Sequence, residues 1–248
     1  MKTNKLIVTL AIASAVIIAG CQKTVSGPST GGSVIIVPLQ STVQATVSLG
    51  SASTFAILAG STVTSTGATK ITGDLGLSPG TAVNGFPPAI LNGTFYINDT
   101  LAAHAKLALT AAYNDLAGRT CTDIVTLSGN IGGLTLTPGL YKSTSSLALS
   151  SGNLVFDAKG NSNAVFIIQI ASTLTTTSGA TVILTGGASA ANIYWQVGSS
   201  ATFGTTTAFQ GVVMAMQSIT FNTGATLNGS AFARIGAVTM QGNTIVQQ

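Results

Sequence analysis

Leu174-Thr175-Thr176-Thr177, Ala201-Thr202-Phe203-Gly204, Ile219-Thr220-Phe221-Asn222 and Val238-Thr239-Met240-Gln241 share one pattern, with an apolar residue first and threonine second in every row. The third residue is Phe203, Phe221 or Met240 in three of the rows. Side chains alternate faces along a strand, so apolar neighbours that point inward turn the threonine column outward. The four rows therefore predict stacked short strands that expose a row of hydroxyls and methyls.

Leu147 takes the slot of Leu174, Ala201, Ile219 and Val238, and successive slots lie 27, 27, 18 and 19 residues apart. Self-similarity at such a period is the mark of a solenoid, with a basic coil of about 18 residues. Three short strands and three corners account for that length. The longer intervals hold additional loops around Asp157 to Ser162 and Thr185 to Ala191, where Gly, Asn, Ser and Ala accumulate.

Each coil divides by side-chain demand. The threonine strand comes first. A corner of small residues follows, at Ser178-Gly179-Ala180-Thr181, Thr205-Thr206-Thr207-Ala208 and Thr223-Gly224-Ala225-Thr226, and more loosely at Gly242-Asn243-Thr244. A second strand holds Val182-Ile183-Leu184 or Leu227. The third strand does not alternate: Phe166 to Ile170, Ile193 to Val197 and Val212 to Met216 are apolar on both sides, which means burial on both sides. Gln169 and Gln196 fall at equivalent positions there and are expected to form an amide ladder along the stack.

One segment has a different period. Between Asn98 and Ala117, Leu101, Ala105, Ala108, Leu109, Ala112 and Leu116 recur at three and four, with Asn98, Asp99 or Thr100 able to cap the start and Gly118 available as a stop. This amphipathic helix is the element able to cover the apolar third face. The threonine face is then left open. His104 and Tyr113 lie in the helix, but no nucleophile or second metal ligand stands near His104, which reads as exposed or packed on a flank.

Composition supports a β solenoid. The 248 residues are 46% hydrophobic and only 6% charged, with 29 glycines and no glutamate, which fits neither a disordered chain nor a long-helix protein. The net charge of +4 includes Lys2 and Lys5 of a leader, and the remaining bases are too scattered to track a phosphate backbone, so no nucleic acid partner is expected. The acids Asp74, Asp99, Asp115, Asp123 and Asp157 are spread along the chain, not clustered for calcium binding or acid-base work, so no enzyme activity, metal or cofactor is expected.

Residues 1–20 carry Lys2 and Lys5 and then an apolar run from Leu6 to Ala19, the layout of a secretory signal. Ile18-Ala19-Gly20-Cys21 resembles a bacterial lipobox, which implies cleavage before Cys21, lipid on that cysteine and attachment to a membrane without a spanning helix. Gln22 after the cysteine points to the outer membrane or cell surface. Residues 21–47, rich in Gly, Ser and Thr, are expected to be a flexible linker, and 48–248 the solenoid domain, a monomer. Within the linker Ser33 to Leu39 is apolar enough to form a strand. Cys121 is then left without a partner and is expected to be a buried, inert thiol.

Stacked coils lie about 4.8 Å apart and alternate residues along a strand about 6.8 Å apart, so the first column, Thr175, Thr202, Thr220 and Thr239, and a second, Thr177, Gly204, Asn222 and Gln241, make a nearly regular grid. Threonine is stiff at χ1, and neither column contains a charge. Such a grid suits a repeating lattice, of which ice is one. An adhesin or structural solenoid meeting carbohydrate or another surface is the alternative.

The chain also resembles a known family, the microbial ice-binding domain built as a discontinuous β-solenoid with a lateral helix. The resemblance runs from about Ser51 to Ile245. It is carried by Phe55-Ala56-Ile57-Leu58-Ala59-Gly60, Thr72-Gly73-Asp74-Leu75-Gly76, Gly85-Phe86-Pro87-Pro88, Ala111-Ala112-Tyr113-Asn114-Asp115, the run from Leu134 to Tyr141, Asn163-Ala164-Val165-Phe166 and Tyr194-Trp195-Gln196-Val197-Gly198. It implies a mainly β fold, a right-handed triangular β-helix with one long α-helix along one face, and adsorption to ice through a flat face. The family's loose Thr-Ala/Gly-X-Thr/Asn pattern is matched by Thr66-Gly67-Ala68-Thr69 and Thr223-Gly224-Ala225-Thr226 and not by Thr205 to Ala208; Thr223 and Thr226, with Thr205 at the equivalent corner, join the candidate contacts. Alternation of side chains favours the column as the contact, and the motif favours the corner.

Overall fold

The structure is a computed structural model that describes residues 37–248 and the backbone of a strand at Thr24–Val25. The signal segment 1–20, Cys21 and most of the linker, with residues 33–36 of its apolar run, lie outside the described residues. All paired strands of the described chain run parallel and stack into three sheets; Phe166 to Ile170 lie residue by residue opposite Ile193 to Val197, and a register shift interrupts the pairing only between Phe55 and Ile57 among the described strands. Stacking suits this composition, because backbone groups along the strands find their partners in the coil above or below, and corner groups such as Thr207 N–H find theirs within the coil, at Gly204 O.

The order of the coils differs from their order in sequence. On the threonine face the strands run Gly129–Asn130, Leu147–Leu149, Leu174–Thr176, Ala201–Phe203, Ile219–Phe221, Val238–Gln241, and then Thr62–Thr66 and Ala82–Asn84. The N-terminal strands thus sit on the C-terminal end of the stack. The helix Thr100–Gly118 descends beside the pile, and the chain then climbs coil by coil from Val125 until it meets its own beginning. Joining two separate segments into one continuous sheet is what makes the solenoid discontinuous.

Two long strands, Ala208–Ala215 and Thr226–Ala233, each serve two faces. Their first residues continue the second face, where Thr226 pairs with Thr244, and their last residues continue the helix-covered one. The bend falls at Gly211 and Gly229, which stand opposite each other at φ +109° and +141°. A Cβ on Gly229 would lie 2.1 Å from the Gly211 carbonyl oxygen, so glycine is required there.

Inward-facing aromatics fill the coil interior. Phe203 stacks on Phe221 with ring centroids 4.7 Å apart, and Trp195 meets Phe156 and Phe209 at 5.7 and 4.9 Å. The buried Trp195 indole N–H is satisfied by the Gln210 carbonyl at 3.0 Å. Burial of each such ring contributes about 1.5–3 kcal/mol relative to exposure.

The helix covers the third face, as expected. Ala105, Leu109, Ala112, Tyr113 and Leu116 pack against Leu58, Leu140, Ile167, Tyr194, Met214 and Phe232. Asp99 is the N-cap, its carboxylate accepting from Ala102 N at 2.7 Å, and Gly118 is the last helical residue instead of the stop, with Arg119 as C-cap. His104 is exposed.

The expected amide ladder does not form. Gln169 and Gln196 do stand opposite each other, but the Gln169 amide donates to the helix-end carbonyls of Leu116 and Arg119 at 2.6 and 2.8 Å, and Gln196 donates to the Tyr113 hydroxyl at 2.7 Å. Their side chains face the helix, and carbonyls at its C-terminus need donors more than the amides need each other. Lys106 anchors the middle of the helix, donating to Ala233 O at 2.7 Å and also to Arg234 O. Burial, with the nearby Arg234 charge, lowers its ammonium pKa to about 8. The Arg234 guanidinium lies 4.7 Å over the Tyr113 ring.

Residues 37–47, inside the stretch expected to be linker, are tied to the domain. Val37 and Val47 are buried, and Gln40 accepts from Leu140 N at 2.8 Å. Asp123 Oδ2 accepts from Ser41 N, Ser41 Oγ and Thr42 N at 2.6, 3.0 and 2.9 Å. These donors, Thr42 foremost, hold the Asp123 carboxyl well below the usual carboxylate range. The Thr24–Val25 strand pairs with Thr126 and Leu127 at the lower edge of the helix-covered sheet. Cys121 is half-buried, not fully buried, and desolvation pushes its thiol pKa up.

Candidate functional site

Across adjacent coils the outward position of the threonine face reads Asn130, Ala148, Thr175, Thr202, Thr220, Thr239, Thr64 and Asn84. Five successive coils present threonine, spanning about 19 Å at the usual strand separation. Each is flanked by residues facing the core: Leu174 and Thr176, Ala201 and Phe203, Ile219 and Phe221, Val238 and Met240, Val63 and Ser65 are all buried. Thr175 is exposed, and Thr202, Thr220, Thr239 and Thr64 are half-exposed because neighbours in the column shade one another.

None of these five hydroxyls has a hydrogen-bond partner among the described residues. Each can therefore donate and accept outward, while β-branching restricts its rotamer. The surface carries no Lys, Arg, Asp or Glu in this column, so no charge draws in counter-ions or disordered water.

The second column is different in kind. Thr177 turns its hydroxyl onto Leu149 O and Ser150 O, both at 3.2 Å, and Thr223 donates to Gln241 Oε1 at 3.2 Å. Thr66, opposite Gln241, leans on Met240 O at 3.4 Å. Gly204 is buried, with Thr176 Oγ1 accepting from its N–H at 2.9 Å, and Asn222 is half-exposed. Much of the hydrogen-bonding capacity of this column is used within the protein.

Thr205 and Thr223 are exposed at the corner that borders the face. Thr226 is placed beyond it, on the second face opposite Thr244, with its hydroxyl on Thr207 O at 3.4 Å. The structure thus groups Thr175, Thr202, Thr220 and Thr239 with Thr177, Asn222 and Gln241, sets Thr205 and Thr223 on the margin, and separates Thr226.

Thr64 is the residue that the sequence repeat did not supply. Its row, Val63-Thr64-Ser65-Thr66, has the same form as the other four and leads into Gly67-Ala68-Thr69, but it lies far from them in the chain. Only stacking of the N-terminal coil on the C-terminal one brings it into line.

No group of three or more His, Cys, Asp or Glu side chains is placed to hold a metal among the described residues. The concave surfaces nearby are shallow, such as the trough lined by Thr66, Gly67, Thr223, Gln241 and Gly242.

Comparison with known proteins agrees with that geometry. An ice-binding protein from Nostoc sp. (strain HG1) is 48% identical over 198 residues, covering 79% of this chain and 72% of the relative. One from Flavobacterium frigoris (strain PS1) is 37% identical over 217 residues, covering 80% and 75%. The crystal structure of an ice binding protein from an Antarctic biological consortium superposes with a TM-score of 0.85 at 68% identity, covering 86% of this chain and 96% of that one. The model of the family described as ice-binding-like matches residues 57–246, and the chain belongs to that family.

Proposed function

We propose that this protein adsorbs to ice through the column Thr175, Thr202, Thr220, Thr239 and Thr64, with Thr177, Asn222 and Gln241 beside it and Thr205 and Thr223 at its margin. The observation that carries this reading is the run of five in-register threonines whose hydroxyls are left without partners among the described residues. Methyls and hydroxyls held at about 4.8 Å intervals order first-shell water into a repeating layer, and that layer merges with the lattice. Attachment at many points at once makes release slow. Ice between adsorbed molecules must then grow with a curved front, which opposes further growth and recrystallisation.

Adsorption of this kind needs no chemical step, cofactor or metal. The rigid backbone limits the ordering entropy lost on contact, since the grid exists before ice arrives. Ice-affinity partitioning of the purified domain tests the reading, together with Thr202→Tyr and Thr220→Tyr. Both substitutions should abolish thermal hysteresis and recrystallisation inhibition with an unchanged far-UV CD spectrum. Full retained activity in the two variants would place the site elsewhere.

The lipobox at Cys21 supports export and a lipid anchor, which would hold the face at a membrane surface. Replacement of Cys21 by Ser should move the protein from the membrane fraction to the soluble one. Equal partition of wild type and variant would rule the anchor out.

A further inference from the structure

The corner beside the threonine face contains one residue in the wrong backbone conformation for its type. Gly179 N–H donates to Thr205 O, Thr206 N–H to Thr223 O, Gly224 N–H to Gln241 O and Gly242 N–H to Thr66 O, so Gly179, Thr206, Gly224, Gly242 and Gly67 stack as one column. Their φ angles are +72°, +55°, +71°, +63° and +80°. Four of the five are glycine, the residue that adopts this left-handed region without a steric penalty. Thr206 is β-branched, a type for which positive φ is an outlier.

Nothing in the fold requires that side chain. Thr206 is exposed, and its hydroxyl donates only to the carbonyl of the adjacent Thr205, at 2.7 Å. Its methyl lies 3.5 Å from where a Cβ on Gly224 would sit, over a backbone that carries no side chain of its own. The hydroxyl bond fixes the rotamer and leaves the methyl over bare Gly224, while nothing stands against the position of a Cβ on Gly179 in the other neighbouring coil. This coil is also the one that lacks a side chain in the second column, at Gly204.

We propose that Thr206 is a further ice-contact residue, retained against its backbone strain because it extends the Thr202 row around the corner where Gly204 interrupts it. The inference rests on the reading of the threonine face as the ice-binding surface. Strain maintained at an exposed position with no packing role is the pattern expected where a side chain serves a contact.

The test is Thr206→Gly in the full folded chain, compared with wild type and with Thr202→Tyr. Relief of strain should raise the melting temperature by about 2–4 °C. Thermal hysteresis and recrystallisation inhibition, compared at equal concentration below melting, should fall. Stability equal to or above wild type together with lowered ice activity supports the proposal. Unchanged activity overturns it, and so does a lowered melting temperature, which would show that the side chain supports the fold. If Thr206→Gly keeps full activity while Thr202→Tyr loses it, only the role of Thr206 fails; if both keep it, the face itself is misassigned.

Discussion

Thr64 stands opposite Thr239 in parallel register, although one belongs to the first coil of the domain and the other to the last. Their pairing closes the gap between the two segments of the solenoid. It also lengthens the row of free hydroxyls from four to five.

Thr64→Tyr should therefore weaken ice activity much as Thr202→Tyr does, because a ring in the column holds the neighbouring hydroxyls away from a flat lattice. Thermal hysteresis at matched concentration is the measurement. Wild-type activity in Thr64→Tyr would show that the contact ends at Thr239.

Regularising the second column should fail. A Cβ at Gly204 would lie 2.6 Å from the Thr177 carbonyl carbon and 2.7 Å from Thr176 O, so Gly204→Thr forces two coils apart. A loss of about 1–3 kcal/mol in urea unfolding is expected from overpacking at such a site. An equally stable variant would mean that the coils separate there without strain.

The latch at the lower end of the helix is Gln169. Gln169→Ala leaves the Leu116 and Arg119 carbonyls without this donor, for an expected loss of about 1–3 kcal/mol. Amide exchange should quicken from residue 112 to 119 ahead of the coils, with ice activity retained while the protein is folded. Exchange that quickens equally everywhere would argue against a local latch.

Lys106 sets a pH dependence of definite sign. Its pKa is about 8 folded against 10.5 in the free side chain, chiefly through burial and then through the charge of Arg234. Between these values the unfolded chain binds more protons than the folded one, so this group adds stability as pH rises above 8 and withdraws it as pH falls back. Burial pushes the Cys121 thiol and the hydroxyls of Tyr113, Tyr141 and Tyr194 upward, and these act in the opposite sense, the thiol from about pH 9 where free cysteine ionises and the tyrosines near pH 10, so the comparison with Lys106→Met isolates the lysine. Urea melts from pH 8 to 10 should show a rising trend in wild type that Lys106→Met lacks. Parallel profiles would remove Lys106 as the cause.

Local pattern was enough for most of the architecture. Alternation around Thr175, Thr202, Thr220 and Thr239 identified the open face, the unbroken apolar runs at Phe166 and Ile193 identified a doubly buried one, and a change of period located the helix that covers it. These are properties of a few neighbouring residues, set by the two-residue repeat of a strand and the 3.6-residue repeat of a helix. The same periodicity is silent about polar partners. It aligned Gln169 with Gln196 correctly, yet Gln169 bonds to carbonyls where the helix ends and Gln196 to the Tyr113 hydroxyl on its buried side, and neither strand encodes where the helix lies.

The row Val63-Thr64-Ser65-Thr66 marks the same boundary. Its pattern was present in the sequence, but a repeat says which residues can stack and not which coil lies on which. The folded chain had to settle that, because the exposed end of the last coil and the underside of the first could each bury their apolar edges only against the other. Strain at Thr206 belongs to the same class: a threonine between Thr205 and Thr207 is unremarkable in a sequence, and becomes informative only when stacking among glycines imposes a left-handed corner on it. What the chain carries in its composition is a surface able to meet a lattice; its length and margin were set by how the two ends met.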